Sequence, residues 1–233
     1  MTDSTDLFKS RLASIHDYLV SKKSKASIIA VSKRQPIEKI RALYRLGQRE
    51  FGENRVEEFS QKVVDLDAED INWHFIGHLQ TNKVKALLNI KGLKYIHSID
   101  SLKLLKILFK EESHFPGDQL KFFLQVNTSG EKEKGGFTSY RELSEAVQYI
   151  TDLPQGRIVL HGLMTMGKYR TDQFEADARA CFSELKDMRD ALKEDFSLTL
   201  KLSMGMSSDW KWAVDYDADL LRVGTAIFGA RSS

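Results

Sequence analysis

Apolar and polar positions along the chain alternate between two periods, and that alternation predicts its organisation. Residues 3 to 22 set Leu7, Leu12, Ile15 and Leu19 at helical spacing, which predicts an amphipathic first helix. Short β-branched or aromatic runs then take turns with stretches of period 3.6. Strands are expected at 27–32, 49–52, 72–77, 93–98, 120–127, 157–164, 199–203 and 220–224, and helices at 37–47, 55–66, 81–89, 101–112, 139–150, 172–194 and 208–217.

Alternating β and α units joined by right-handed crossovers build parallel sheets, and eight units close naturally into a barrel. The expected fold is therefore α/β, a single (β/α)8 TIM barrel with an extra N-terminal helix. An open doubly wound sheet is the alternative. Nothing in the chain marks a linker, and only three prolines occur. One domain over 1–233 follows, with the first helix at about 1–24 and the barrel at 25–233. In such barrels ligand chemistry gathers at the carboxyl ends of the strands. Polar residues collect there: Lys33, Glu53 and Asn54, His74 and His78, Ser98, Asn127 and Thr128, Ser203 to Ser208, and Arg222 to Thr225.

Composition narrows the function classes. Basic and acidic residues nearly cancel, 35 against 33, so the net charge of +2 gives no general field for nucleic acid or membrane. Trp73, Trp210 and Trp212 do not interleave with a basic stripe, which leaves nucleic-acid stacking without support. One cysteine, Cys181, excludes an internal disulfide framework and sits in a helical pattern, which fits a reducing compartment. The opening MTDSTDLFKSRL has neither a signal-peptide core nor a transit-peptide composition, and no apolar run reaches the ~20 residues that span a bilayer. The cytoplasm is the expected location.

Lys33 follows Ile28, Ile29, Ala30 and Val31, at the point where apolar packing meets a cavity. Burial lowers a lysine's pKa and makes the neutral amine available to attack an aldehyde. The competing role is a strand-end lysine reaching solvent. In the last unit, LRVGTAIFG, Gly224 lets the backbone approach a phosphate, and the following amides favour an anion. The seventh loop, SMGMSSD, adds Ser203, Ser207 and Ser208. Either loop alone is a weak signal, because a serine helix cap explains SSDW equally well. Adjacent in a barrel, they form a credible phosphate cup. Arg222 ends the eighth strand, where it could donate to a ring nitrogen or pair with an acid such as Asp219 or Glu53.

The phrases AVSK, FGEN, WHFIG.LQ.NK, HSID, GLMTMG, LSMGMS and LRVGTAIFG, from residue 30 to residue 229, resemble the pyridoxal phosphate homeostasis proteins. The resemblance implies a fold-type III barrel like the amino-terminal domain of alanine racemase, with pyridoxal phosphate (PLP) as cofactor. It matches Lys33 to the Schiff-base lysine, Asn54 to the side chain near the aldehyde end and Arg222 to the arginine at the pyridine nitrogen. Ser207, Gly224 and Thr225 match the phosphate ligands, with Ser203 nearby. Met166 could pack beneath the ring. Lys134 corresponds to a basic position of the fifth-strand loop, and His78 departs from the family phrase.

Three functions remain in view. The leading one is a non-catalytic PLP carrier for vitamin B6 homeostasis, a monomer exchanging cofactor with apo-enzymes that use PLP. The second is a slow amino acid racemase using Lys33. Against it, an arginine at the pyridine nitrogen makes the ring a weaker electron sink, and the chain stops at FGARSS without the domain that supplies a second base in racemases. The third is a scaffold whose work is a protein contact. No metal is expected, because HFIGH lacks the glutamate of H-E-x-x-H. His97 and His161 end apolar strands and read as satisfied near-core imidazoles.

Overall fold

The computed structural model describes residues 2–131, 133–168 and 171–230. Its eight parallel strands close into a barrel in sequence order: β1 Ser27–Val31, β2 Glu50–Glu53, β3 Asn72–Phe75, β4 Leu93–Ile99, β5 Leu120–Gln125, β6 Ile158–Met164, β7 Lys201–Met206 and β8 Leu220–Val223. The barrel closes where β8 pairs with β1, Ile29 opposite Arg222. The helices that follow the strands are α2 Ile37–Arg45, α3 Val56–Leu66, α4 Val84–Leu88, α5 Leu102–Lys110, α6 Tyr140–Thr151, α7 Phe174–Phe196, α8 Trp210–Val214 and α9 Thr225–Phe228, after an initial α1 at Thr2–Ser21. The open-sheet alternative is thereby excluded. Among the described residues no helix is long and apolar enough to cross a membrane.

Local chemistry sets several boundaries. Ser101 and Ser139 start α5 and α6 by accepting hydrogen bonds from the Leu104 and Glu142 amides, the usual N-cap geometry. The helix expected at 81–89 is instead a 3₁₀ turn, Thr81–Lys83, followed by one short turn of α-helix. The seventh strand runs three residues further than its pattern suggests. Gly205 carries it there with φ +86°, and a Cβ at that position would lie 2.7 Å from the Ala213 Cβ. Only glycine lets the strand end pass so closely under α8.

In α1 the buried stripe is Phe8, Leu12, Ile15 and Leu19, whereas Leu7 is 47% exposed. Phe8, not Leu7, continues the i, i+4, i+7 series of the other three. The helix braces the last unit of the barrel: the Phe8 and Phe228 rings meet edge to face at 5.9 Å, and Arg11 Nη1 donates to the Ile227 carbonyl at 2.9 Å.

The outer faces of the strands carry the usual apolar packing against helices, as where Phe51, Trp73 and Phe59 meet. The barrel interior differs from the branched aliphatic filling typical of such folds. Beside Ile29 it holds His74, Tyr95, His97, Phe123, His161, Ser203 and Arg222. His97 on β4 bonds to Ser203 on β7, a contact that crosses the lumen because the strands are not neighbours.

Candidate functional site

At the carboxyl ends of the strands lies a cleft of about 470 Å³, lined by Val31, Lys33, Ile76, Met166, Met206, Ser207, Ser208, Arg222, Gly224 and Thr225. Six of the eight residues expected at the site are therefore on one wall or another: Lys33, Met166, Ser207, Arg222, Gly224 and Thr225. Lys33 is half-buried just past β1, and Val31 and Ile76 supply apolar neighbours.

Across the cleft, Ser207 Oγ accepts hydrogen bonds from the Gly224 amide at 3.0 Å and the Ala226 amide at 3.2 Å. The seventh and eighth loops are thus joined as a preformed cup. Because both bonds are accepted by the oxygen, the Ser207 hydroxyl hydrogen remains to be donated elsewhere.

Arg222 sits between these features. Its Nη1 donates to Ser203 Oγ and its Nη2 to the Thr165 carbonyl, each at 2.7 Å. Burial pushes its pKa down to about 10, with the Asp209 carboxylate acting in the opposite direction, so the guanidinium stays charged at neutral pH. Neither acid proposed as its partner reaches it. Asp219 accepts from Lys201 and the Leu202 amide, and Glu53 from Lys62 and Ser32.

Two expected residues lie elsewhere. Ser203 is fully buried inside the barrel, its oxygen engaged with Arg222 and His97, and does not line the cleft. Asn54 is also absent from the lining. Its backbone carbonyl is pressed against Gly77, where a Cβ would come within 2.0 Å of that oxygen. Ile76, just past the end of β3, packs over Gly52 and lines the cleft.

Lys134 bonds to Glu131 at 2.5 Å and to the Gly167 carbonyl at 2.7 Å, tying the fifth loop to the sixth. His78, 72% exposed, lies 3.3 Å from Asp100 in a separate surface recess. Its motif partner His74 is buried with Glu50 and His97, so the two histidines do not converge. Among the described residues no group of three metal-ligating side chains forms. Sequence reasoning missed Ile76 and Met206 as walls; Met206 ends the extended β7 and lines the cleft.

The class of fold is a closed parallel (β/α)8 barrel whose cleft, among the described residues, brings Lys33, Arg222 and the Ser207-bridged seventh and eighth loops into one lining. The alanine racemase N-terminal domain family matches residues 4–232 of the chain. The pyridoxal phosphate homeostasis protein of Schizosaccharomyces pombe is 41% identical over 206 residues, covering 88% of this chain and 84% of its own. That of Aquifex aeolicus is 39% identical over 209 residues, with 88% and 87% covered. The solved structure of PipY from Synechococcus elongatus with PLP bound superposes at a TM-score of 0.83, with 34% identity, over 95% of this chain and all of that one. Alanine racemase from E. faecalis shares the fold at 14% identity and a TM-score of 0.71, this chain spanning 58% of its length. The chain belongs to the pyridoxal phosphate homeostasis protein family, within the wider alanine racemase N-terminal domain family.

Proposed function

We propose that the chain binds pyridoxal phosphate in this cleft and serves intracellular PLP homeostasis and cofactor supply. The observation that carries the reading is that the cleft pairs Lys33 with the Ser207-bridged amides and places Arg222 in the same lining. The donor set fits the cofactor: a primary amine, a guanidinium with N–H donors beyond the two used internally, and the Ser207 and Thr225 hydroxyls at a loop junction whose Gly224 and Ala226 amides fix Ser207 Oγ. When bound, PLP supplies an aldehyde that condenses reversibly with an amine.

Each residue then has a role of its own. Lys33 presents its amine in the lining beside Val31 and Ile76, where it can attack the aldehyde of a bound cofactor. Ser207, Gly224 and Thr225 hold the anionic end, and the brace from α1 keeps α9 in register with them. Arg222 orients a ring acceptor while keeping its own proton. Met166 supplies a polarizable apolar surface.

A carrier role is supported by the relatives, which are named homeostasis proteins. Among the described residues that line the cleft, Lys33 and Arg222 are the ionisable ones. Exchange with apo-enzymes in the cytoplasm, by a monomer, completes the proposal. Titrating the protein with PLP and following its visible absorbance tests it: a new band that saturates at one equivalent, and is lost in Lys33→Ala, is expected. An unsaturable response, or one unchanged in Lys33→Ala, would overturn the reading.

A further inference from the structure

A continuous chain of buried polar groups runs through the barrel from its lower end to the cleft. Glu50 Oε2 lies 2.6 Å from His74 Nε2, and His74 Nδ1 lies 2.9 Å from His97 Nε2. His97 Nδ1 is 2.9 Å from Ser203 Oγ, which accepts from Arg222 Nη1 at 2.7 Å. His74, His97 and Ser203 are completely buried. We propose that Glu50, His74, His97 and Ser203 form a one-way hydrogen-bond relay that fixes the Arg222 guanidinium at the cleft, with His97 and Ser203 as positioning residues.

The direction follows from donor and acceptor counting. Arginine can only donate, so Ser203 Oγ accepts from it, and the serine's single hydrogen goes to the other neighbour, His97 Nδ1. A neutral His97 then carries its proton on Nε2 and donates to His74 Nδ1. His74 in turn carries its proton on Nε2 and donates to Glu50. Every bond points from the guanidinium toward the carboxylate, and aligned bonds of this kind polarise one another in a low-dielectric interior.

The reverse arrangement fails. Protonating His74 would place a hydrogen on Nδ1, force His97 to accept at Nε2 and put its proton on Nδ1 against Ser203. The serine oxygen would then face two donors, and its own hydrogen would lose its acceptor. A second cation would also stand in the same lumen as Arg222.

The surroundings favour the neutral rings. Burial lowers the pKa of both, and the Arg222 guanidinium, with any charge that arose on His74, depresses His97 further, while Glu50 opposes the shift of His74. Tyr95 stacks on His74 at 4.2 Å and Phe123 on His97 at 4.4 Å, so aromatic faces cover both imidazoles. The remaining titratable groups near the lower end are His161, Lys121, Lys201 and Asp219, and Glu50 is held below its usual range because the His74 and Asn72 bonds outweigh its burial.

The test uses the full chain labelled with ¹⁵N in its histidine rings and free of ligand. Long-range proton–nitrogen correlations at neutral pH should show both His74 and His97 as the Nε2–H tautomer. An Nδ1–H tautomer in either ring, or titration near the ordinary ~6.5, would overturn the relay. In Ser203→Ala the His97 Nδ1 resonance should shift as it loses its donor, and PLP affinity should fall about tenfold, the scale of one hydrogen bond to a charged group. Ser203→Cys, which keeps a weak donor in nearly the same volume, should recover part of both. An unmoved His97 resonance, or an affinity within about twofold of the parent, would contradict the proposal. Only the affinity arm rests on the PLP reading. The tautomer measurement stands without ligand and without a variant, so a failure of one is separable from a failure of the other.

Discussion

Lys62 Nζ lies 2.8 Å from Glu53 Oε1 and 2.7 Å from the Ser32 carbonyl, so one buried ammonium from α3 ties together the strand ends that precede Lys33 and Asn54. Burial raises the Glu53 pKa, and Lys62 and Ser32 oppose that rise. Its second oxygen has no hydrogen-bond partner. Removing the ammonium would leave a carboxylate stranded in the interior. Lys62→Met should therefore cost about 3–5 kcal/mol in denaturant unfolding at neutral pH. Because an acid with a raised folded pKa favours folding most when protonated, the deficit should shrink as pH falls through that pKa. The double variant Lys62→Met with Glu53→Gln should recover part of the loss. Equal deficits for the single and double variants would show that packing, not charge, is at stake.

His161 predicts a separate acid sensitivity. Burial, together with Lys121 and Lys201, lowers its pKa to about 4. A base whose folded pKa is depressed keeps the fold's full stability above its unfolded value, ~6.5, and loses it as pH falls toward the folded one. Because the imidazole is only partly buried and Asp219 opposes the shift, solvent screening keeps its share of the acid destabilisation to about 1 kcal/mol. It faces the Tyr95 and Phe123 rings, so His161→Phe suits the site sterically. Thermal melts of that variant should fall less steeply between about pH 6.5 and about pH 4 than those of the parent. Parallel profiles would assign the acid loss to other groups.

Ser207 bridges the two loops of the cup, and the proposed function gives it an anion to hold. Ser207→Ala should weaken PLP binding by about 10- to 100-fold, the range for one hydrogen bond to a charged group. Pyridoxal, which lacks the phosphate, should bind the variant and the parent within about threefold of each other. Equal losses for both ligands would mean that Ser207 shapes the cleft without contacting the anion.

The order and type of the barrel's elements were legible because each strand and helix carries its own period. What the pattern could not give was contact across the lumen. His74, His97 and Ser203 lie on β3, β4 and β7, and no local signal says that their side chains meet. For the same reason Ser203 read as part of a serine-rich cup, although its strand face turns it inward to Arg222. FGEN locates Asn54 at a strand end, but that its carbonyl lies against Gly77 and that Ile76 lines the cleft are contacts between separate segments that the sequence does not signal. The end of β7 was hidden because glycine ordinarily signals a stop, and at Gly205 it permits the strand to continue. The stripe of α1 shifted from Leu7 to Phe8 once packing against Phe228 chose between neighbouring apolar residues.

On the PLP-binding reading Lys33, among 22 lysines, is the amine that captures the cofactor. Borohydride reduction of the PLP-loaded protein, followed by peptide mapping, tests it most directly. The pyridoxyl label should appear on Lys33 at about one per chain and should be absent from Lys33→Ala. A label spread over surface lysines, or one that persists in Lys33→Ala, would contradict the account.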